Sequence, residues 1–525
     1  MRAHRYFSHA ILAAALCALA LASPAYAAHD KQAKGSKSAT AAKPAPKQRE
    51  SVTHASVAID GQTIHYTATA GTILLRNKKN QPTGLMFYVA YTKDGVRNPQ
   101  DRPVTFLYNG GPGASSNWLT MSGLGPYKVE LPNGSPTPPA PYSVVASHES
   151  ILNATDLVFI DAMGTGYSHI VGKGKGKMFW GVDEDVKSFG QFIQRYITQN
   201  DRWNSPLFLY GESYGTTRSA GLAEYLQQQG VSVNGVILQS SVLNYFDGSP
   251  GSDNGYIFNL PSYAAIAWYH DKIANKPASL SDFVEQARQF ADGPYAQALR
   301  QGNALPKAQL DALAQKMHQF TGLPVEYLER ANLRVSGAEF RKELMLPERQ
   351  HLGRYDGRYL AADADAINSR SSFDPSDQQI SPALNQGYQW YVHHVLKWKT
   401  DRSYVGLSFD AYKNWDWKHS APGRYYGKEQ LPDVADDLAA AMRQNPYLRV
   451  LSENGYFDLA TPFHGTEYDL SHVNLNAKLR SHIEFAYFKS GHPIYVNPTA
   501  LKAMHTTLDT FYRNTLKADR QGAAH

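Results

Sequence analysis

The sequence predicts an α/β fold with a mostly parallel central sheet, antiparallel strands at its N-terminal side and an inserted helical cap. The first observation is an alternation of strand with helix. Apolar runs at 103–108 (PVTFLY), 156–161 (DLVFID), 207–210 (LFLY) and 233–239 (VNGVILQ) read as buried strands, and Val186, Phe189, Ile193 and Ile197 share one face of a helix over 183–199. Parallel neighbours need a crossover, which such helices supply. The second is an N-terminal series of short runs, SVAI, TIHYTA, TILL and LMFYVAY, separated by Asp60-Gly61, Gly71 and residues 80–82. That spacing predicts an antiparallel meander. The third is a change of character after Phe246: helix-like segments near 281–290, 307–320 and 388–397 follow without strands between them. Strand patterning returns at 448–452 (LRVLS) and 483–488 (IEFAYF), and 499–516 makes a closing helix.

These patterns divide the chain. Arg2 and Arg5 precede an apolar run over about 10–22, and Ala25-Tyr26-Ala27 supplies small residues for a signal-peptidase cut, so 1–27 reads as a cleaved leader and the protein as exported, periplasmic or secreted. The run is too short for a permanent membrane span. The one cysteine, Cys17, lies inside it, so the mature chain would have no disulfide, thiol nucleophile or thiolate metal site. Residues 28–50, rich in Ala, Lys, Ser and Pro, read as a disordered tether. The leader and tether hold eight of the 52 basic residues and two of the 46 acids, which leaves residues 51–525 with 44 of each. A nucleic-acid partner is therefore not expected. Residues 51–246 and 436–525 read as two parts of one catalytic core, and 247–435 as a helical cap inserted between them.

The chemistry centres on Gly211-Glu212-Ser213-Tyr214-Gly215, between a strand and a helix-forming stretch. A nucleophile elbow needs that order, because the serine sits on a strained turn with small residues on either side and its hydroxyl exposed above the sheet. A serine needs a base, and the base an acid. In α/β hydrolases the chain order is serine, acid, histidine, each following a strand. Asp458 follows the strand at 448–452 and His492 the strand at 483–488, so Ser213, Asp458 and His492 form the expected triad. Glu453 and Asp161 are alternative acids; His464 and His472 are alternative bases. The loop Asn109-Gly110-Gly111-Pro112-Gly113 can turn backbone N–H groups inward, and one of these with the Tyr214 N–H would make an oxyanion hole.

FLYNGGPGASS (106–116), LVFIDAMGTGYS (157–168), GESYG (211–215), ENGYFD (453–458) and SGHPIY (490–495) together resemble the signature blocks of the serine carboxypeptidase family, in its cysteine-poor bacterial form. The resemblance implies an α/β-hydrolase fold and release of C-terminal residues from peptides through an acyl-enzyme. It implies Gly111 and Tyr214 as oxyanion donors, and Asn109 and Glu212 as ligands of the substrate's terminal carboxylate. A protonated Glu212 could donate to that carboxylate, whereas an ionised one would repel it. The chain departs from the family pattern at Leu107 (usually Trp), Ala114 (usually Cys), Ala162-Met163 (usually Gln-Pro) and Gly123, where the family carries a second carboxylate-binding Glu.

The aromatic stretch 256–269 is either the lining of a side-chain pocket or core. Asp363 and Asp365 lack the Gly and Glu of a calcium loop, so no metal is expected, and no cofactor motif occurs. The same triad would also serve an esterase, acyltransferase or endopeptidase; a binding protein on this scaffold would be expected to have lost it.

Overall fold

The computed structural model describes residues 46–365, 367–368, 370–423 and 427–522. The expected leader and most of the tether lie outside the described residues. Among those described, ten strands form one sheet, nine of them in long pairings. These are β1 (Glu50–Ile59), β2 (Gln62–Arg76), β3 (Pro82–Lys93), β4 (Val104–Tyr108), β5 (Asp156–Ile160), β6 (Leu207–Glu212), β7 (Gly235–Gln239), β8 (Arg449–Gly455) and β9 (Ile483–Phe488). Their spatial order is β1-β2-β3-β5-β4-β6-β7-β8-β9, and the two-residue strand His169–Ile170 pairs with β3. The pairings from β1 to β5 are antiparallel, and those from β5 to β9 parallel. This is an α/β-hydrolase architecture.

Side-chain alternation along the strands sorts two cores onto the two faces of the sheet. Leu107, Phe208 and Tyr210 point to one face, where Phe511 and Tyr512 of the closing helix cover them. Phe106, Tyr108 and Leu209 point to the other, against helices α1 (Val182–Gln199) and α2 (Tyr214–Gln228). Phe189, Phe192, Ile193 and Ile197 supply the buried face of α1 at helical spacing.

Two expectations need correcting. Gly71 does not break the N-terminal meander: β2 runs unbroken through it. The glycine opposes Tyr88, and a Cβ there would lie 2.9 Å from the Tyr88 ring, so it makes room for an aromatic side chain and does not turn the chain. The strand β1 also starts at Glu50, inside the stretch read as tether, and Thr72 N–H donates to Arg49 O at 2.9 Å.

Between β7 and β8 lie helices, among them α3 (Asn254–Tyr269), which belongs to an apolar cluster of its own, and α4 (Pro375–His394), whose Ile380, Leu384, Tyr388 and Tyr391 join the core of Leu107 and Phe208. Within the α3 cluster Tyr263 stacks on Phe340 at 4.0 Å between ring centres. Leu260, Tyr263, Ala264 and Ile266 are buried in that cluster, so α3 forms core. The closing helix, α5 (Pro498–Gly522), runs past residue 516, where its apolar pattern is expected to end, to Gly522. Among the described residues no helix is long and apolar enough to cross a membrane.

The sheet order places the crevice. From β4 the chain goes first to β5 on one side and then to β6 on the other, so the carboxyl ends of these strands open onto a topological switch point. Residues 109–113 follow β4, Ser213 follows β6, Asp458 lies beyond β8 and His492 beyond β9.

Candidate active site

The elbow is built from close backbone approaches. Ser213 has φ +62° and ψ −130°, and its N–H donates to Gln239 O of the adjacent strand at 3.0 Å. A side chain at φ > 0 is strained, at a cost on the order of 1–3 kcal/mol, so the surrounding structure must hold it. The flanking glycines permit this. A Cβ on Gly211 would meet Gly215 O at 2.1 Å, and one on Gly110 of the facing loop would meet Tyr214 N at 2.4 Å. Among the described residues neither the Gly111 nor the Tyr214 backbone N–H has a hydrogen-bond acceptor. Both therefore remain free to meet an oxygen that gains charge beside Ser213.

Asn109, Gly110, Gly111, Glu212, Ser213, Tyr214 and His492 line one cavity of about 470 Å³. Asp458 lies behind the imidazole. His492 Nδ1 donates to Asp458 Oδ2 at 2.8 Å, with both side chains at most 2 % exposed. The other carboxylate oxygen, Asp458 Oδ1, accepts from the N–H groups of Ala460 (2.7 Å) and Thr461 (3.0 Å), which leaves it one orientation. Burial opposes a charged imidazole, but Asp458 and its hydrogen bond outweigh it and raise His492 above its ordinary pKa. The backbone of His492 is held as well, with Ser240 Oγ donating to its carbonyl at 2.7 Å and its N–H donating to Tyr355 O at 2.6 Å.

The alternative acids and bases are engaged elsewhere. Asp161 Oδ1 accepts from Ser116 N–H at 2.8 Å, and burial pushes its pKa up to about 7. Glu453 Oε2 accepts from Tyr210 Oη at 2.8 Å, and burial pushes it up to about 8. His464 sits between Asp292 and Glu467 at 2.8 Å each, while His472 stacks on Tyr468, both around a separate cavity of about 700 Å³.

Glu212 is fully buried beside Ser213. Burial pushes its pKa up to about 7, against the opposing effects of His492 and of hydrogen bonds from Tyr495 and Asn109. Tyr495 Oη donates to Glu212 Oε2 at 3.0 Å, and Asn109 Oδ1 accepts from Leu119 N–H at 3.0 Å, which turns the Asn109 amide nitrogen to the carboxyl group. Beneath the loop, buried Arg218 pairs with Asp185 (2.6 Å) and donates to Asn109 O (2.8 Å). Sequence reasoning missed Tyr495, Thr461 and Arg218. Tyr495 stands inside the SGHPIY block, yet no spacing rule selects it, because its partner is 283 residues away.

The family model described as serine carboxypeptidase matches residues 62–493. The chain belongs to the serine carboxypeptidase family. It is similar to serine carboxypeptidase-like 5 of Arabidopsis thaliana, 26% identical over 220 residues that cover 40% of this chain and 44% of the relative. It is also similar to the pheromone-processing carboxypeptidase KEX1 of Arthroderma otae, 29% identical over 140 residues that cover 25% of this chain and 19% of the relative. The chain thus spans less than half the length of these curated relatives. Among solved structures, a prohormone-processing carboxypeptidase from Saccharomyces cerevisiae matches with TM-score 0.52 and 15% identity, covering 86% of this chain and 92% of that one. That likeness is one of fold. Within the family blocks, Gly123 has φ +98°, where a side chain would be strained, and a Cβ would lie 2.9 Å from Ser147 Oγ.

Proposed function

We propose that this family member is a serine carboxypeptidase that removes C-terminal residues from peptides. The observation that carries the reading is the cavity itself, where the Asp458-oriented His492, the strained Ser213 and a buried Glu212 of raised pKa meet. Ser213 Oγ attacks the carbonyl carbon of the last peptide bond while His492 Nε2 takes its proton. Gly111 and Tyr214 N–H groups stabilise the oxyanion, each donor contributing on the order of 3 kcal/mol. As the C–N bond breaks, His492 returns the proton to the leaving amine, and a water activated by His492 then hydrolyses the acyl-enzyme. Asn109 and protonated Glu212 hold the terminal carboxylate.

Residues 247–435 act in this reading as a cap over the cavity, since Arg354, Tyr355, Asp377, Asn385, Leu407 and Trp417 of its lining come from that segment. Export rests on the sequence of residues 1–27 alone. The test is mass spectrometry of one peptide in free-acid and amidated forms after incubation with the protein. Stepwise loss from the free-acid form only supports the proposal. Equal attack on both forms overturns it in favour of an endopeptidase or esterase.

A further inference from the structure

With glycine at position 123, Glu212 lacks the second carboxyl group that the family pattern supplies. The cavity holds a group of the opposite sign. Arg354 is exposed and lines the cavity together with Asn109, Glu212, Ser213 and His492. Its backbone is anchored on both sides: its N–H donates to Asp374 Oδ1 at 3.0 Å, and its carbonyl accepts from Leu459 N–H at 3.0 Å. Its guanidinium carbon stands 5.6 Å from the centre of the Tyr355 ring, which in turn lies 5.2 Å from the His492 ring and 5.9 Å from that of Trp118.

The guanidinium is unspent. Among the described residues its one hydrogen bond is a long contact, 3.5 Å, from Nη2 to Ala460 O, and no carboxylate pairs with it. The other carboxyl group on the wall, Asp377, accepts from Ser381 Oγ at 2.6 Å and forms no ion pair with Arg354. A guanidinium offers two parallel N–H donors that match the two oxygens of a carboxylate.

We infer that Arg354 is a specificity-determining residue that binds a carboxylate of the peptide substrate, supplying the recognition that position 123 cannot. This rests on the carboxypeptidase reading. The carboxylate has two possible sources, the peptide's C-terminus and an acidic side chain next to the cut, and both present the same chemistry.

Binding and turnover separate them. Calorimetry on Ser213→Ala protein, with and without Arg354→Gln, would use peptides that differ only as free acid or amide and as Glu or Gln beside the cut. Thermal melting checks that each variant is folded. A terminal-carboxylate contact predicts that Arg354→Gln weakens every free-acid peptide by about 10- to 100-fold, whichever side chain it carries. A side-chain contact predicts the same loss for Glu peptides only, with Gln peptides unchanged. Arg354→Lys should restore part of the affinity, since a point charge attracts a carboxylate without the fork. Affinities within twofold across all peptides, or no binding of any peptide, would overturn the inference. Absence of peptide turnover by the unmodified protein, alongside an Arg354-dependent affinity, would instead count against the carboxypeptidase reading alone.

Discussion

Tyr495 Oη donates to Glu212 Oε2 across 3.0 Å, and this bond favours the ionised carboxylate that burial disfavours. Burial pushes Glu212 up to about 7, with His492, this bond and Asn109 opposing it. The bond therefore contributes to the pH above which a substrate carboxylate would be repelled. Tyr495→Phe removes the donor, so Glu212 should keep its proton to higher pH. Peptide KM should rise through about pH 7 in the unmodified protein and begin its rise at higher pH in the variant, with kcat in acid unchanged within about twofold. A rise displaced to lower pH would show that another group governs binding.

The proposed triad makes a graded prediction. Ser213→Ala and His492→Ala should fold with unchanged melting temperature and lose turnover by several orders of magnitude. Asp458→Asn should lose on the order of 10⁴-fold in kcat, because an amide at Oδ2 turns the imidazole to the wrong tautomer. Single-turnover kinetics on a chromogenic peptide would read all three. Substantial activity in Asp458→Asn would mean that His492 takes its orientation from another group, of which Thr461 Oγ1, 3.1 Å from Nδ1, is nearest.

Gly110 tests the oxyanion donors without touching the triad. A Cβ there would press on Tyr214 N at 2.4 Å and Gly215 N at 2.5 Å, backbone atoms with no freedom to yield. Gly110→Ala should lower kcat about 100-fold or more through misplaced donors and lower the melting temperature as an overpacked site does. Loss of stability with kcat intact would detach this loop from the chemistry.

Stability should decline as pH rises from acid. Burial pushes Asp161 and Glu212 up to about 7, Glu453 up to about 8 and Asp469 up to about 9. In the unfolded chain such groups release their protons near pH 4. Between that value and their folded values the native state binds more protons than the unfolded one, so stability falls with increasing pH. Asp183, held well below its ordinary value by its partners despite burial, acts in the opposite sense, losing its contribution only in strong acid. Melting temperature should thus fall progressively from about pH 5 to pH 9, and Glu453→Gln should flatten the slope between about pH 5 and 8. A melting temperature that rises over that window would contradict the assignment of neutral buried carboxyl groups.

Local patterning was sufficient for the parts of this protein whose causes are local. The apolar runs that became β4 to β9, the periodic face of α1, and the Gly-x-Ser-x-Gly turn are written in neighbouring residues, because strand alternation, helix period and backbone strain act over a few positions. The proposed order of serine, acid and histidine after successive strands rests on the same kind of cause, since a parallel sheet brings the carboxyl ends of its strands to one edge. Where the cause was distant, sequence could not decide. Gly71 reads as a turn until Tyr88 is seen across the sheet, and Glu453 competes with Asp458 until its carboxyl group is found on Tyr210. Tyr495 on Glu212, Arg218 beneath Asn109, and Arg354 beside the ring that packs on His492 join residues separated by long stretches of chain. Burial and pairing are properties of the assembled molecule, and it is these, more than residue type, that determine which carboxyl groups stay protonated and which side chains face the cavity.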